Sequence, residues 1–340
     1  MGMRSVFGLA GVLVGLAVAR RTMRTRSAHD LAGSCVLVTG ASRGLGLALA
    51  EEFARRGARL ALTARDAESL EHARQQVAAH GTEAIAVPCD VTDPGAVSDL
   101  VSTVTERLGR IDVLVNNAGD LVVGPFETRT PEDFRAAMDV MFWGTFHTTF
   151  AVLPQMKRRH DGVIANITSI GGKVAAPHLL PYSSAKFAAV GFSEGLHAEL
   201  APDGISVVTV VPGFMRTGSY LNARFRGRPR EQFTWFSVIG NLPVISTSAG
   251  NAARQVVDAV ETREAEVMIT PLTHVAARVN GLMPGVTARV NGVIKRLLPS
   301  VSPGEDSDEA RGRHSETAVS ESFVTSLGRR AARRLQQDGS

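Results

Sequence analysis

From Gly33 to about Thr270, short β-branched runs alternate with amphipathic stretches at helical spacing. The runs fall at 34–39, 58–63, 84–89, 111–115, 162–168, 205–211 and 266–269. The helical stretches lie near 44–56, 67–80, 94–108, 131–159, 181–201 and 249–262. A strand returned by a helix pairs parallel with the next strand, and a parallel sheet must be covered on both faces. The pattern predicts an α/β fold, a doubly wound parallel sheet of seven strands with helices on both faces. Ligands of such sheets bind beyond the carboxyl ends of the strands.

This unit occupies residues 31–270 of 340. Hydrophobic residues at 44% and charged residues at 21% support one large core and exclude global disorder. Aromatics at 5% argue against a stacking platform for nucleic acid. Cys35 and Cys89 sit in apolar runs and read as buried free thiols, which fits a reducing compartment. Residues 1–30 hold an uncharged apolar run at 6–19 followed by an arginine cluster. That run is short for a bilayer span, and the charge placement keeps the main domain cytoplasmic, with residues 6–19 as a membrane anchor or interfacial helix, or else a plain helix packed on the protein. Residues 271–301 read as an amphipathic helical extension, in which A277-R-V-N-G and A288-R-V-N-G echo each other, lying on a membrane, across the substrate mouth or packed against the core. Residues 302–340 read as a disordered tail ending in a short basic helix.

The first run enters T39-G-A-S-R-G-L-G46 and then a helix. Gly40, Gly44 and Gly46 allow a tight turn and close approach to a pyrophosphate, with Ser42, Arg43 and Leu45 between them. The second run ends at Ala64-Arg65, where an acidic residue would otherwise bind a ribose 2′-hydroxyl. Arg43 and Arg65 suit a 2′-phosphate, so NADP(H) is expected over NAD(H). Asp90 and Val91 follow the third run, and Asp90 can meet an adenine or simply cap a turn. Asn117, Ala118 and Gly119 follow the fourth run in N-N-A-G, beside the cofactor's ribose. Pro212, Gly213 and Thr217 follow the sixth, with Thr217 aimed at a nicotinamide carboxamide.

Tyr182 and Lys186 lie four residues apart in Y-S-S-A-K, on one face of a helix. An ammonium beside a phenol favours the phenolate and lowers the tyrosine's pKa. Ser169, thirteen residues upstream of Tyr182, can hold the same substrate oxygen. Together these motifs resemble, in order and spacing, the short-chain dehydrogenase/reductase family over about residues 33–270. The resemblance implies a Rossmann-type fold and NAD(P)-dependent hydride transfer at CH–OH groups. It implies Tyr182 as general acid/base, Lys186 as the residue that tunes it and binds the nicotinamide ribose, and Ser169 as the group that polarises the substrate oxygen. It also implies dimers or tetramers built on the helices near 131–159 and 181–201.

One position departs from the family pattern. D139-V-M-F-W-G144 places Met141 where the family carries an asparagine that supports a proton relay to the lysine. A thioether is a weak acceptor and no donor. The relay then survives through the backbone carbonyl and water, or the protein is a membrane-peripheral scaffold or sensor with weak turnover. Tyr220, Leu221, Phe225, Phe233, Trp235 and Phe236 follow Thr217, in the segment that selects substrate. They suit a lipophilic ketone, aldehyde or alcohol, or the packing of a lid or dimer face.

Overall fold

The computed structural model describes residues 29–243, 245–301, 308–317, 319–320 and 325–338. The apolar run at 6–19 lies outside the described residues. Among the described residues no helix is long and apolar enough to cross a membrane.

The first half of the sheet is built from β1 Cys35–Thr39, α1 Gly44–Arg55, β2 Arg59–Thr63, α2 Ala67–Ala78 and β3 Ala84–Ala86. Next come α3 Pro94–Leu108, β4 Val113–Asn116, the short β5 Val122–Val123, α4 Pro131–Met138, α5 Gly144–Arg159 and β6 Gly162–Ile167. The long α6 Leu180–Leu200 leads to β7 Ile205–Pro212, β8 Phe214–Arg216, β9 Arg224–Gly227 and α7 Pro229–Asn241. Then follow β10 Ser246–Ser248, α8 Ala249–Glu261 and β11 Glu266–Ile269. The extension contains α9 Pro271–Leu282, α10 Pro284–Leu297, β12 Asp308–Arg311 and α11 Ser326–Arg334.

The main sheet runs β11-β7-β6-β4-β1-β2-β3, and its pairings are parallel. The strand order reverses between β1 and β4, so the glycine loop and N-N-A-G emerge side by side at the carboxyl edge. β1 and β4 are buried along their whole length, as strands covered on both faces must be. Leu47, Leu49 and Phe53 of α1 are fully buried on one face of the sheet. Val104, Val152 and Met156 are fully buried on the other. Each such side chain contributes roughly 1.5–3 kcal/mol relative to exposure.

The helices are started by side chains that satisfy their open N–H groups. Asp66 caps α2 through Ser69, Asp93 caps α3 through Gly95 and Ala96, and Ser248 caps α8 through Asn251. Thr130 and Asp133 form a capping box on α4. The exception that matters is α1, which has no side-chain cap.

A buried polar seam crosses this apolar sheet. Asn116 on β4 donates to the Asn166 amide oxygen on β6 at 2.9 Å, and to Thr149 at 3.0 Å. Thr148 donates to Asn116 at 2.6 Å. Asn166 donates to Ser193 of α6 at 3.0 Å, and Ser193 bonds Thr209 of β7 at 2.7 Å.

Two expectations need correction. The helix expected over 131–159 is divided by a π-helical turn, Asp139–Trp143, in which the Gly144 N–H reaches back to the Asp139 carbonyl. The wide turn sets Gly144 against Val91, where a Cβ would collide. The tail over 302–340 reads as disordered up to its short basic helix, yet Asp308–Arg311 pairs antiparallel with β9. Charge holds it there: Glu309 pairs with both Arg224 and Arg226.

Candidate active site

The catalytic candidates converge from two elements. Ser169 follows β6 and caps the short turn Ile170–Gly172, accepting the Gly171 N–H at 3.0 Å. Tyr182 and Lys186 share one face of α6. A Cβ on Gly171 would touch both the Tyr182 ring and Ser169 Oγ, so serine and tyrosine border one small volume. Lys186 Nζ lies 5.9 Å from the Tyr182 ring centroid and donates to the Ile167 carbonyl at 2.8 Å.

Burial governs the charges here. Lys186 is buried and its ammonium is pulled down to about 8. Burial pushes the Tyr182 phenol up, and the hydrogen bond from Ser169 opposes that push. The expected depression of Tyr182 by Lys186 is therefore reversed. One donor of the ammonium goes to a backbone carbonyl, and burial outweighs whatever the lysine does for the phenol. Both groups lean towards their neutral forms.

Met141 is buried within the π turn, its side chain against Gly119. Its carbonyl accepts the Thr145 hydroxyl at 3.1 Å. A cleft beside Tyr182 is lined by Met141, Pro181, Val122, Asp120, Asp133 and Arg224. The aromatics expected to line a substrate pocket mostly pack on one another. Tyr220, Phe225, Phe233 and Phe236 form a satellite core with Val123, Leu179 and Ala332, against which Tyr182 and Trp235 pack.

At the other end, Gly40 and Gly44 take φ of +62° and +61°, the left-handed region that glycine enters freely. A Cβ on Gly46 would strike the Gly40 carbonyl. Asn117 braces this turn from N-N-A-G, its amide donating to the carbonyls of Thr39 at 2.9 Å and Gly40 at 3.2 Å. The N–H groups of Asn117 and Ala118 both donate to Thr39 Oγ1. Thr39 is thus a clamp between the two loops. Ser42 and Leu45 are buried in the loop. Asp90 closes a turn on Thr92, accepting from its N–H and hydroxyl, and the Val91 carbonyl bonds His147. Pro212 ends β7, and the Gly213 N–H donates to the Ile269 carbonyl. Thr217 is buried, its hydroxyl taking the Ser219 N–H.

Sequence reasoning missed the tail. The open N–H of Gly44 donates to the Leu335 carbonyl at 2.9 Å. The Gln337 side chain lies where a Cβ of Gly44 would point. Asn222 donates to the Gln337 carbonyl and side chain, and Arg334 pairs with Glu51 of α1 at 2.8 Å. The tail also brings Arg311 and Arg313 near Arg43, whose guanidinium is pulled below its ordinary pKa by burial. Arg43 and Arg313 both donate to Asn222 Oδ1, and Arg313 Nε is buried with no hydrogen-bond partner among the described residues. Arg65 is exposed close by. No periodicity or motif in the tail announces this approach.

A parallel sheet with a glycine turn at its switch point, and a Ser–Tyr–Lys group one loop away, defines a dinucleotide-dependent oxidoreductase. The short chain dehydrogenase family model matches residues 34–224. The chain is 35% identical over 258 residues to a dehydrogenase/reductase SDR family protein 7-like of Anopheles gambiae, covering 74% of this chain and 80% of that protein. It is 32% identical to dehydrogenase/reductase SDR family member 7B of Bos taurus, covering 75% and 79%. A crystal structure of a short-chain dehydrogenase from Streptomyces avermitilis superposes with a TM-score of 0.66 at 32% identity, covering 78% of this chain and 97% of that one. The protein belongs to the short-chain dehydrogenase/reductase family, whose members use NAD(P)(H) and act on CH–OH groups.

Proposed function

We propose that the protein is an NADP(H)-dependent reductase interconverting a lipophilic ketone or aldehyde and its alcohol, with Tyr182 as general acid/base. The observation that carries this reading is the convergence of Ser169 Oγ and the Tyr182 ring on Gly171, with Lys186 beside the ring. The bound dinucleotide supplies or accepts the hydride. Ser169 takes the Gly171 N–H and gives its own O–H to Tyr182, so serine and tyrosine stand together to share one substrate oxygen. Tyr182, kept protonated by burial, gives its proton to that oxygen in reduction. Lys186 retains donors beyond the one on Ile167 for a ribose hydroxyl or a water.

The preference for the 2′-phosphorylated cofactor rests on the arginines. Arg43, Arg65, Arg311 and Arg313 gather with Asp66 as the nearby carboxylate, and two of them share a neutral amide oxygen. Such a cluster suits a phosphate dianion. The glycine loop would hold the pyrophosphate once Leu335 leaves Gly44. An apolar substrate is favoured by Met141, Pro181 and Val122 beside Tyr182. The exposed Trp143, Phe150 and Phe187 on the π turn, α5 and α6 support a homo-oligomer built on those helices.

A second reading, a cofactor-binding scaffold with weak turnover, draws on Met141. Its side chain offers no amide, and its carbonyl already takes Thr145. An NADPH-consumption screen over aldehydes and ketones graded by chain length separates the readings. Turnover that rises with chain length and vanishes in Tyr182→Phe supports the reductase. NADPH binding without consumption of any carbonyl supports the scaffold.

A further inference from the structure

The helices α9 and α10 form a hairpin beyond the last strand of the main sheet. Their inner side is pinned by the repeated motif. Asn280 donates to the Lys173 carbonyl at 2.8 Å and Asn291 to the Ala175 carbonyl at 2.7 Å. These asparagines are the same position of the two A-R-V-N-G copies. Lys173 and Ala175 lie in the loop between Ser169 and Tyr182, so the hairpin flanks the approach to the catalytic tyrosine. Lys295 of α10 also reaches Glu127 at 3.6 Å.

The outer side is apolar, and among the described residues nothing covers it. Leu282 and Leu297 are each 80% exposed, and Val275, Met283, Val286 and Val293 are about half exposed. Soluble surfaces rarely gather so many large apolar side chains in one place. The charge is one-sided too. Between Glu266 and Glu305 the sequence contains no acidic residue, but it contains Arg278, Arg289, Lys295 and Arg296. All three arginines are exposed.

We propose that this hairpin is a foot that seats in the headgroup layer of a phospholipid bilayer bearing anionic lipids. Its apolar side chains would enter the acyl boundary while the arginines meet the headgroups. A second copy of the chain is a poorer occupant. A twofold contact would set this arginine-bearing face against itself, with no carboxylate on the hairpin to offset the like charges. The foot goes beyond the reductase reading, since seating on a bilayer requires no turnover.

The test uses the full chain and vesicles of phosphatidylcholine, alone or with about one-third phosphatidylserine. Cys35 and Cys89 are buried, so Leu282→Cys can be labelled selectively with an environment-sensitive fluorophore, and Ser102→Cys on exposed α3 surface serves as control. The label at 282 should shift to the blue on adding anionic vesicles, and the label at 102 should not. Arg289→Gln with Arg296→Gln should weaken binding to anionic vesicles by about fivefold per charge removed and flatten its salt dependence, leaving NADPH affinity unchanged. A label at 282 that stays in water while the protein cosediments would overturn the foot and leave residues 6–19 as the anchor. Absence of any vesicle binding overturns it as well. So does a Leu282→Asp variant that breaks up an oligomer in sedimentation velocity yet keeps its vesicle binding, since the face would then meet protein.

Discussion

The two ends of the cleft lie on the same sheet edge but are closed in different ways. At the Ser–Tyr–Lys end, Ser169, Tyr182 and Lys186 come from consecutive elements, and their polar groups are bonded to neighbours close in sequence. At the glycine-loop end, an uncapped helix N-terminus bonds to a carbonyl almost three hundred residues further along the chain. The first end is finished by the strand–helix pattern itself. The second is left open by that pattern and covered by the extension.

The sharpest way to break this comparison is at Tyr182. Tyr182→Phe should lower carbonyl reduction by about a thousandfold or more while NADPH affinity, measured by fluorescence titration, stays near wild type. Equal turnover in the variant would place the proton donor elsewhere.

Lys186→Met should lower turnover by about a hundredfold and yet stabilise the fold. Lys186 is held at about 8 against an ordinary 10.5. The unfolded chain therefore binds this proton more tightly, and the penalty on the native state is full below about 8. It fades as the pH rises towards 10.5. Denaturant titrations should find the variant more stable by on the order of 2 kcal/mol at neutral pH, with the gap closing across that window. A gap that widened with pH would contradict the burial argument.

Removing residues 326–340 probes the opposite end. Gly44 loses its carbonyl partner, so NADPH should bind about tenfold tighter if tail and pyrophosphate compete for one seat. The melting temperature should fall at the same time, because Ala332 and Leu335 are buried. Weaker NADPH binding in the truncated protein would mean that the tail helps to hold the cofactor.

The smallest effect is expected at Met141→Asn. Turnover should be unchanged or rise a few-fold, while the fold loses about 1 kcal/mol as a buried thioether gives way to an amide. A clear loss of turnover would remove Met141 from any account of proton supply.

What the sequence disclosed follows the same division. Parallel strands buried on both faces announce themselves as β-branched runs, and glycine spacing announces a turn, so the sheet and the positions of Ser169, Tyr182 and Lys186 were readable. The direction of Tyr182's titration was not, because it depends on burial and on where Lys186 Nζ points. Asp90 and Thr217 lie where expected but spend their side chains on local turns. Arg313 and Leu335 reach the glycine-loop end only through packing over a long sequence separation. The loop aromatics were readable as a group, but their burial in a satellite core was not.

The polar seam across β4, β6 and α6 has a consequence for assembly. Strands made only of valine, isoleucine and leucine can slide by two residues and still bury the same faces. Asn116 opposite Asn166 forbids this, because in any other register a buried amide loses its partner, at about 1–3 kcal/mol for each group left unpaired. Ser193 extends the constraint to the helix that carries Tyr182 and Lys186. A two-residue slip would carry Ser169 about 7 Å along the strand axis, well beyond reach of the tyrosine. The seam thus acts as a ruler for the sheet, and it sets where Ser169 stands relative to Tyr182 and Lys186.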